Sequence, residues 1–107
     1  MFARLVEATT KPGKRDEIEK MLRNDLLPVL KQQHGFVDMV GLSSDTTANE
    51  GGGLSLWETK DAAEAFFQSA QYTNIMGRIK PMIEDMKVST FNVTNSTFHK
   101  IAAASGL

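Results

Sequence analysis

Apolar and polar residues recur along this chain with two different periods, and the switches between those periods outline six elements. Phe2 to Thr9 is rich in Val, Leu and Thr and stops at Lys11-Pro12-Gly13, where proline fixes φ and glycine accepts φ > 0, so the pattern predicts a strand and then a turn. From Lys14 the spacing becomes helical. Ile18, Met21, Leu22, Leu26, Val29 and Leu30 share one stripe, while Lys14, Arg15, Glu17, Lys20 and Arg23 lie mostly off it, which predicts an amphipathic helix. Pro28 falls inside that stripe, where it removes a helix hydrogen bond and pushes Leu27 toward extended geometry, so a kink or restart is expected near Asn24 to Leu27. His34-Gly35 reads as a glycine C-cap, and Phe36 to Leu42 as the second strand.

Ser43 to Gly53 is polar and ends in three glycines. Gly51-Gly52-Gly53 lacks the Lys-Ser/Thr of a phosphate loop and precedes a strand rather than a helix, so it reads as a flexible loop. Leu54 to Glu58 is a short third strand. Thr59 before Lys60-Asp61-Ala62 is an N-cap with an acid in the first turn, opening a helix that runs to about Ile79 with an interruption around Ser69 to Gln71; Pro81 marks its end. Val88 to Phe98 alternates Val and Phe against Ser, Thr and Asn and predicts a long fourth strand. The order strand, helix, strand, strand, helix, strand is that of the ferredoxin-like α+β fold: a four-stranded antiparallel sheet with two helices on one face. We place this domain at residues 1–98 and a C-terminal tail at 99–107. Phe36 to Leu42 carries apolar residues at both parities, so the sheet face away from the helices is apolar too, and two copies are expected to pack there as a homodimer.

Composition narrows the function classes. With 107 residues, 41% hydrophobic and 23% charged, the chain has an ordinary globular mixture. A net charge of −1 with scattered Lys and Arg argues against nucleic acid as a partner. The start meets Arg4 before any long apolar run, which leads us to expect a cytoplasmic protein with no membrane partner. There is no cysteine, and the two histidines, His34 and His99, have no metal-ligand spacing with carboxylates, so neither disulfides nor a metal site is expected. Arg4 is a charge within an apolar strand; with Glu7 and Glu58 as candidate partners it either forms an ion pair lining the cavity between sheet and helices or faces solvent at a sheet edge, and a paired structural role is the expectation.

Three segments, Thr10-Lys11-Pro12-Gly13-Lys14, Gln33-His34-Gly35-Phe36 and Leu56-Trp57-Glu58-Thr59-Lys60-Asp61-Ala62, together resemble the antibiotic biosynthesis monooxygenase family over roughly Phe2 to Val93. The resemblance implies a dimeric α+β barrel. Activities in such families diverge: some members oxidise polyphenolic precursors to quinones without metal or flavin, some degrade haem, and one group isomerises a sugar phosphate. The haem-degrading pattern of a first-strand Asn with a Trp and a His on the second helix is missing, since Phe2 to Thr9 has no Asn and Phe66 and Met76 occupy the helix positions. The quinone-forming pattern is matched in part: Trp57 stands at the third-strand Trp and Arg78 near the helix Arg, but Gly53 replaces the Asn four residues before the Trp, and Tyr72 sits deeper in the helix than the family's Tyr.

The resemblance therefore implies a cofactor-independent monooxygenase acting on a planar aromatic or quinone-type small molecule, with no cofactor. Trp57 would stack on the ligand, Arg78 would stabilise an anion, and Tyr72 or His34 would handle a proton. Each has a second reading: Trp57 as core, Tyr72 as a buried ring with its hydroxyl at the surface, His34 as part of a helix cap. Two other functions stay open, a non-catalytic ligand-binding or stress-associated dimer and a small-molecule isomerase of the same family.

Overall fold

The computed structural model describes residues 1–101; the rest of the proposed tail, residues 102–107, lies outside the described residues. The strands are β1 (Phe2–Thr10), β2 (Phe36–Ser43), β3 (Glu50–Trp57) and β4 (Ile83–Asn92), and they form one antiparallel sheet in the order β2-β3-β1-β4. This is the ferredoxin-like order that the pattern predicts, with the helices covering one face.

The first helical layer is a broken rod. α1 (Arg15–Met21) passes into a wider π segment (Leu22–Leu26) and then α2 (Leu27–Lys31). Pro28 explains the break: without an N–H and with its ring against the preceding turn it cannot sit in a regular helix interior, so the turn before it widens and Leu27 N–H reaches back to the Leu22 carbonyl. The helix is capped at Gln32 and not at the expected His34-Gly35; Gly35, at φ +79°, instead makes the turn into β2, and a Cβ there would also come 2.6 Å from the Ala62 Cβ. The second layer is α3 (Lys60–Phe67) and α4 (Ala70–Ile79). Thr59 Oγ1 accepts from Ala62 N–H at 3.1 Å and Ser69 Oγ accepts from Tyr72 N–H at 3.2 Å, so each piece has its own cap and the break between them is the interruption expected around Ser69.

Two strands differ from expectation. β3 begins at Glu50, so Gly51-Gly52-Gly53 is strand and not a flexible loop; the glycines sit between β1 and β2, where the backbone of Val6 and of Leu42 approaches too closely for a side chain at Gly52 or Gly51. β4 is Ile83–Asn92 rather than Val88 to Phe98, because its length follows its partner: the β1 ladder pairs Thr10 with Ile83 and Phe2 with Asn92, and one last bond joins Val93 N–H to the Met1 carbonyl. Beyond it the chain reaches over to β2, where His99 Nε2 lies 3.4 Å from an Asp38 carboxylate oxygen.

Strand alternation sorts the side chains. Phe2, Arg4, Val6, Ala8 and Thr10 of β1 face the helices with Gly51, Gly53, Ser55 and Trp57 of β3. Trp57, Phe66, Leu30 and Ile79 are the largest fully buried side chains and centre the core. The opposite face carries Leu5, Leu54 and Val40 in one cross-strand row, with Leu56, Leu42 and Phe91 around it; Val40, Leu42 and Phe91 are exposed.

Candidate functional site

A cavity of about 430 Å³ lies between the helices and the sheet, within the usual size range for small-molecule sites. Its floor is the helix-facing side of β1, β2 and β3, and glycine leaves that floor bare. Gly41 pairs with Gly53 across β2 and β3, and both line the cavity. A Cβ on Gly53 would meet the tip of the Met39 side chain, while one on Gly41 would enter open space. Ile18, Leu22 and Leu26 from the first helical layer and Met76 and Ile79 from α4 supply an apolar roof.

The inner end holds the site's most distinctive group. Arg4, mid-strand and flanked by Ser55 and Thr90, extends under α4 with its guanidinium carbon 3.8 Å from the centre of the Phe67 ring and 5.6 Å from that of Tyr72. Phe67 and Tyr72 meet edge to face at 4.9 Å. The cap at Ser69 sets this wall: it restarts the helix so that Tyr72, in the first turn of α4, turns back against Phe66 and Phe67 at the end of α3. Among the described residues Arg4 has no carboxylate within 4.0 Å, contrary to the expected ion pair. Parity is the reason. Glu7 is an odd number of positions from Arg4 and so points to the other face, opposite Lys87, and Glu58 lies exposed beyond the end of β3.

The outer end is closed differently. Arg15 of α1 donates to the Ala48 carbonyl at 2.9 Å and to the Ser43 hydroxyl, with Glu19 beside it at 3.4 Å, tying the helix to the β2–β3 loop.

Of the four side chains singled out in the sequence, only Tyr72 is on the cavity wall. Trp57 is 0% exposed, encircled by Phe36, Phe66 and Phe67, with its indole N–H donating to Ser55 Oγ at 3.0 Å. Arg78 is on the outer side of α4, 3.3 Å from Asp25. His34 is exposed in the turn between α2 and β2, next to Gly35. The structure therefore does not bring these four together. Phe67 and the glycines of the floor are the cavity features that residue chemistry alone passed over, whereas Arg4 stood out in the sequence but for an ion pair that it does not make. Among the described residues no three His, Asp or Glu side chains are grouped to hold a metal ion, and no helix is long and apolar enough to cross a membrane.

A four-stranded antiparallel sheet in the order β2-β3-β1-β4, with a cavity under its helices, defines the class of small ferredoxin-like α+β domains. Within it, the chain belongs to the antibiotic biosynthesis monooxygenase family, whose profile matches residues 1–78. Solved structures agree in fold. A Deinococcus radiodurans protein assigned to antibiotic biosynthesis monooxygenases is 11% identical with a TM-score of 0.80, covering 95% of this chain and 99% of that one. A Nitrosomonas europaea protein of the same assignment is 17% identical with a TM-score of 0.79, covering 89% and 100%. SnoaB, a cofactor-independent oxygenase from Streptomyces nogalater, is 16% identical with a TM-score of 0.76, covering 90% and 96%. Comparison with curated proteins returns no match.

Proposed function

We propose that this protein is a cofactor-independent oxygenase that takes a planar phenolic or quinone-type aromatic into the cavity under its helices and works as a homodimer. The observation that carries the reading is the aromatic wall of Phe67 and Tyr72 in a mainly apolar cavity, in a family whose structural neighbours include an oxygenase that needs no cofactor. The two rings offer a surface for a flat ligand, and the tyrosine hydroxyl offers a hydrogen bond to a ligand oxygen. A phenol that loses its proton becomes electron-rich enough to react with O₂ directly. One phenol and one O₂ then give one quinone and one water, the substrate supplying both electrons, so the protein's task is to bind, orient and keep bulk water out.

Oxygen uptake with a panel of hydroxylated naphthalenes and anthracenes tests this. Turnover is expected for at least one, and Tyr72→Phe should lower kcat/KM about tenfold, the worth of one hydrogen bond in a dry site. Ligands that bind unchanged, with no oxygen consumed across the panel, would instead make the protein a binding module.

The dimer rests on the other sheet face. Half-buried Leu5, Leu54 and Leu56 with exposed Val40, Leu42 and Phe91 form an apolar surface that a single copy leaves partly in water. A second copy packing sheet to sheet would cover it. Sedimentation should give twice the chain mass, and Leu54→Glu, which places a charge at the middle of that face, should give the single mass; a wild-type protein already at the single mass rules the dimer out.

A further inference from the structure

We infer that Arg4 is the specificity-determining residue of the cavity and that the aromatic it admits is bound as an anion, with one negatively charged oxygen group on the Arg4 edge at the inner end. The inference rests on the proposed aromatic-binding role of the same cavity and adds the charge state of the ligand. Three observations carry it. First, Arg4 has no partner for its charge among the described residues: it forms no ion pair and no side-chain hydrogen bond, its strand neighbours being Ser55 and Thr90. The Ser55 hydroxyl is already engaged, accepting from Trp57 and donating to the Arg4 main-chain carbonyl at 3.5 Å. Secondly, the guanidinium lies over the Phe67 ring, and a contact through the ring face uses none of its N–H groups. No side-chain nitrogen there is both sealed from solvent and unpartnered, so the unpartnered N–H groups reach open space, and Arg4 lines the cavity. Thirdly, the charges around the cavity favour an anion. Three arginines and two glutamates line it, and Glu19 is engaged with Arg15 at the outer end. Glu50 pairs with Thr9, five residues along β3 from Ser55, about 17 Å away at the rise of a strand. No carboxylate at the inner end competes for Arg4.

A half-buried cation held by aromatic rings and left without a counter-ion is arranged to receive one. A guanidinium edge donates two parallel hydrogen bonds to a carboxylate, and one or two to a phenolate, whereas a neutral ether or ester oxygen gains much less from it. The ring of the ligand then lies along the apolar cavity with its charged oxygen inward.

Nitroaromatic probes that cannot be turned over separate this inference from the oxygenase reading. Binding of 4-nitrophenol is followed by absorbance as a function of pH, beside 4-nitrobenzoate and the neutral 4-nitroanisole. The native protein is expected to bind nitrophenolate about ten- to hundredfold more tightly than nitroanisole, as for a hydrogen bond to a charged group, and so to lower the apparent pKa of bound nitrophenol. Equal preference for nitrobenzoate would show that any anionic oxygen is accepted; preference for the phenolate alone would narrow the ligand to ionised phenols. Arg4→Gln should abolish the discrimination and Arg4→Lys should restore part of it, with circular dichroism confirming that each variant is folded. Equal binding of the charged and neutral probes by the native protein, no binding of any probe, or a preference that survives in Arg4→Gln would each overturn the inference. All three results are read without oxygen consumption, so an inactive protein that still selects anions would sink the oxygenase reading and leave this one standing.

Discussion

Trp57→Ala is expected to cost about 3–5 kcal/mol of folding stability, the range for deleting a large aromatic from a packed core. For a small domain holding only about 5–15 kcal/mol in total, that leaves a marginal protein. The indole is 0% exposed and packs on Phe66 at 5.8 Å, with Phe36 and Phe67 edge-on at 5.4 and 5.6 Å, so its removal opens a void that three other rings border. Its N–H is also the donor to Ser55 Oγ, on a residue that is itself buried. Urea denaturation followed by far-UV circular dichroism measures the loss, since the variant has no tryptophan left to fluoresce. Trp57→Phe is the informative partner: it keeps most ring contacts, leaves the Ser55 hydroxyl without its donor, and should cost about 1–2 kcal/mol. If Trp57 acts through packing alone, folded Trp57→Phe retains oxygen uptake close to the wild-type rate. A hundredfold loss of kcat in a folded Trp57→Phe protein would show instead that the indole reaches the substrate.

The fold was legible wherever a side-chain period had one cause. The stripes from Ile18 to Leu30 and from Ala62 to Ile79 exist because each helix buries a single face, and their interruptions coincide with residues that interrupt helices for known reasons, Pro28 and Ser69. β3 was harder. Glycine is depleted in strands, and Gly51-Gly52-Gly53 makes sense as strand only once the flanking backbones of β1 and β2 are in place. The end of β4 is likewise set by the partner strand rather than by its own residues. The site was less legible still, because a residue's chemistry says nothing of where its side chain points. Arg78 illustrates this: it is six residues beyond Tyr72, about 240° around the helix at 3.6 residues per turn, so when Tyr72 faces the cavity Arg78 cannot. Arg4 and Glu7 differ in strand parity, a signal present in the sequence that separates them as soon as β1 is accepted as a strand.

Gly41→Phe is expected to close the cavity without harming the fold. Gly41 lies on β2, at one edge of the sheet, opposite Gly53 and on the cavity lining, and a Cβ built on it meets nothing within 4 Å. An aromatic ring there projects into the space that a flat ligand would occupy, and displacing or deforming around it should weaken binding about tenfold or more, as overpacking a filled site does. Stability should move the other way. Glycine within a strand costs about 0.5–1 kcal/mol relative to alanine, and phenylalanine is favoured on a pleated surface, so Tm should hold or rise. The pairing of outcomes is what makes the variant decisive, since loss of function through misfolding would lower both. Tyr72→Phe removes one hydroxyl and leaves the volume unchanged; Gly41→Phe leaves every polar group in place and removes the room. A Gly41→Phe protein that melts no earlier than wild type yet neither consumes oxygen nor binds nitrophenol would locate the ligand between the helices and the glycine floor. If it binds and turns over as before, the ligand lies elsewhere, and the cavity is a packing defect that three glycines leave between sheet and helix.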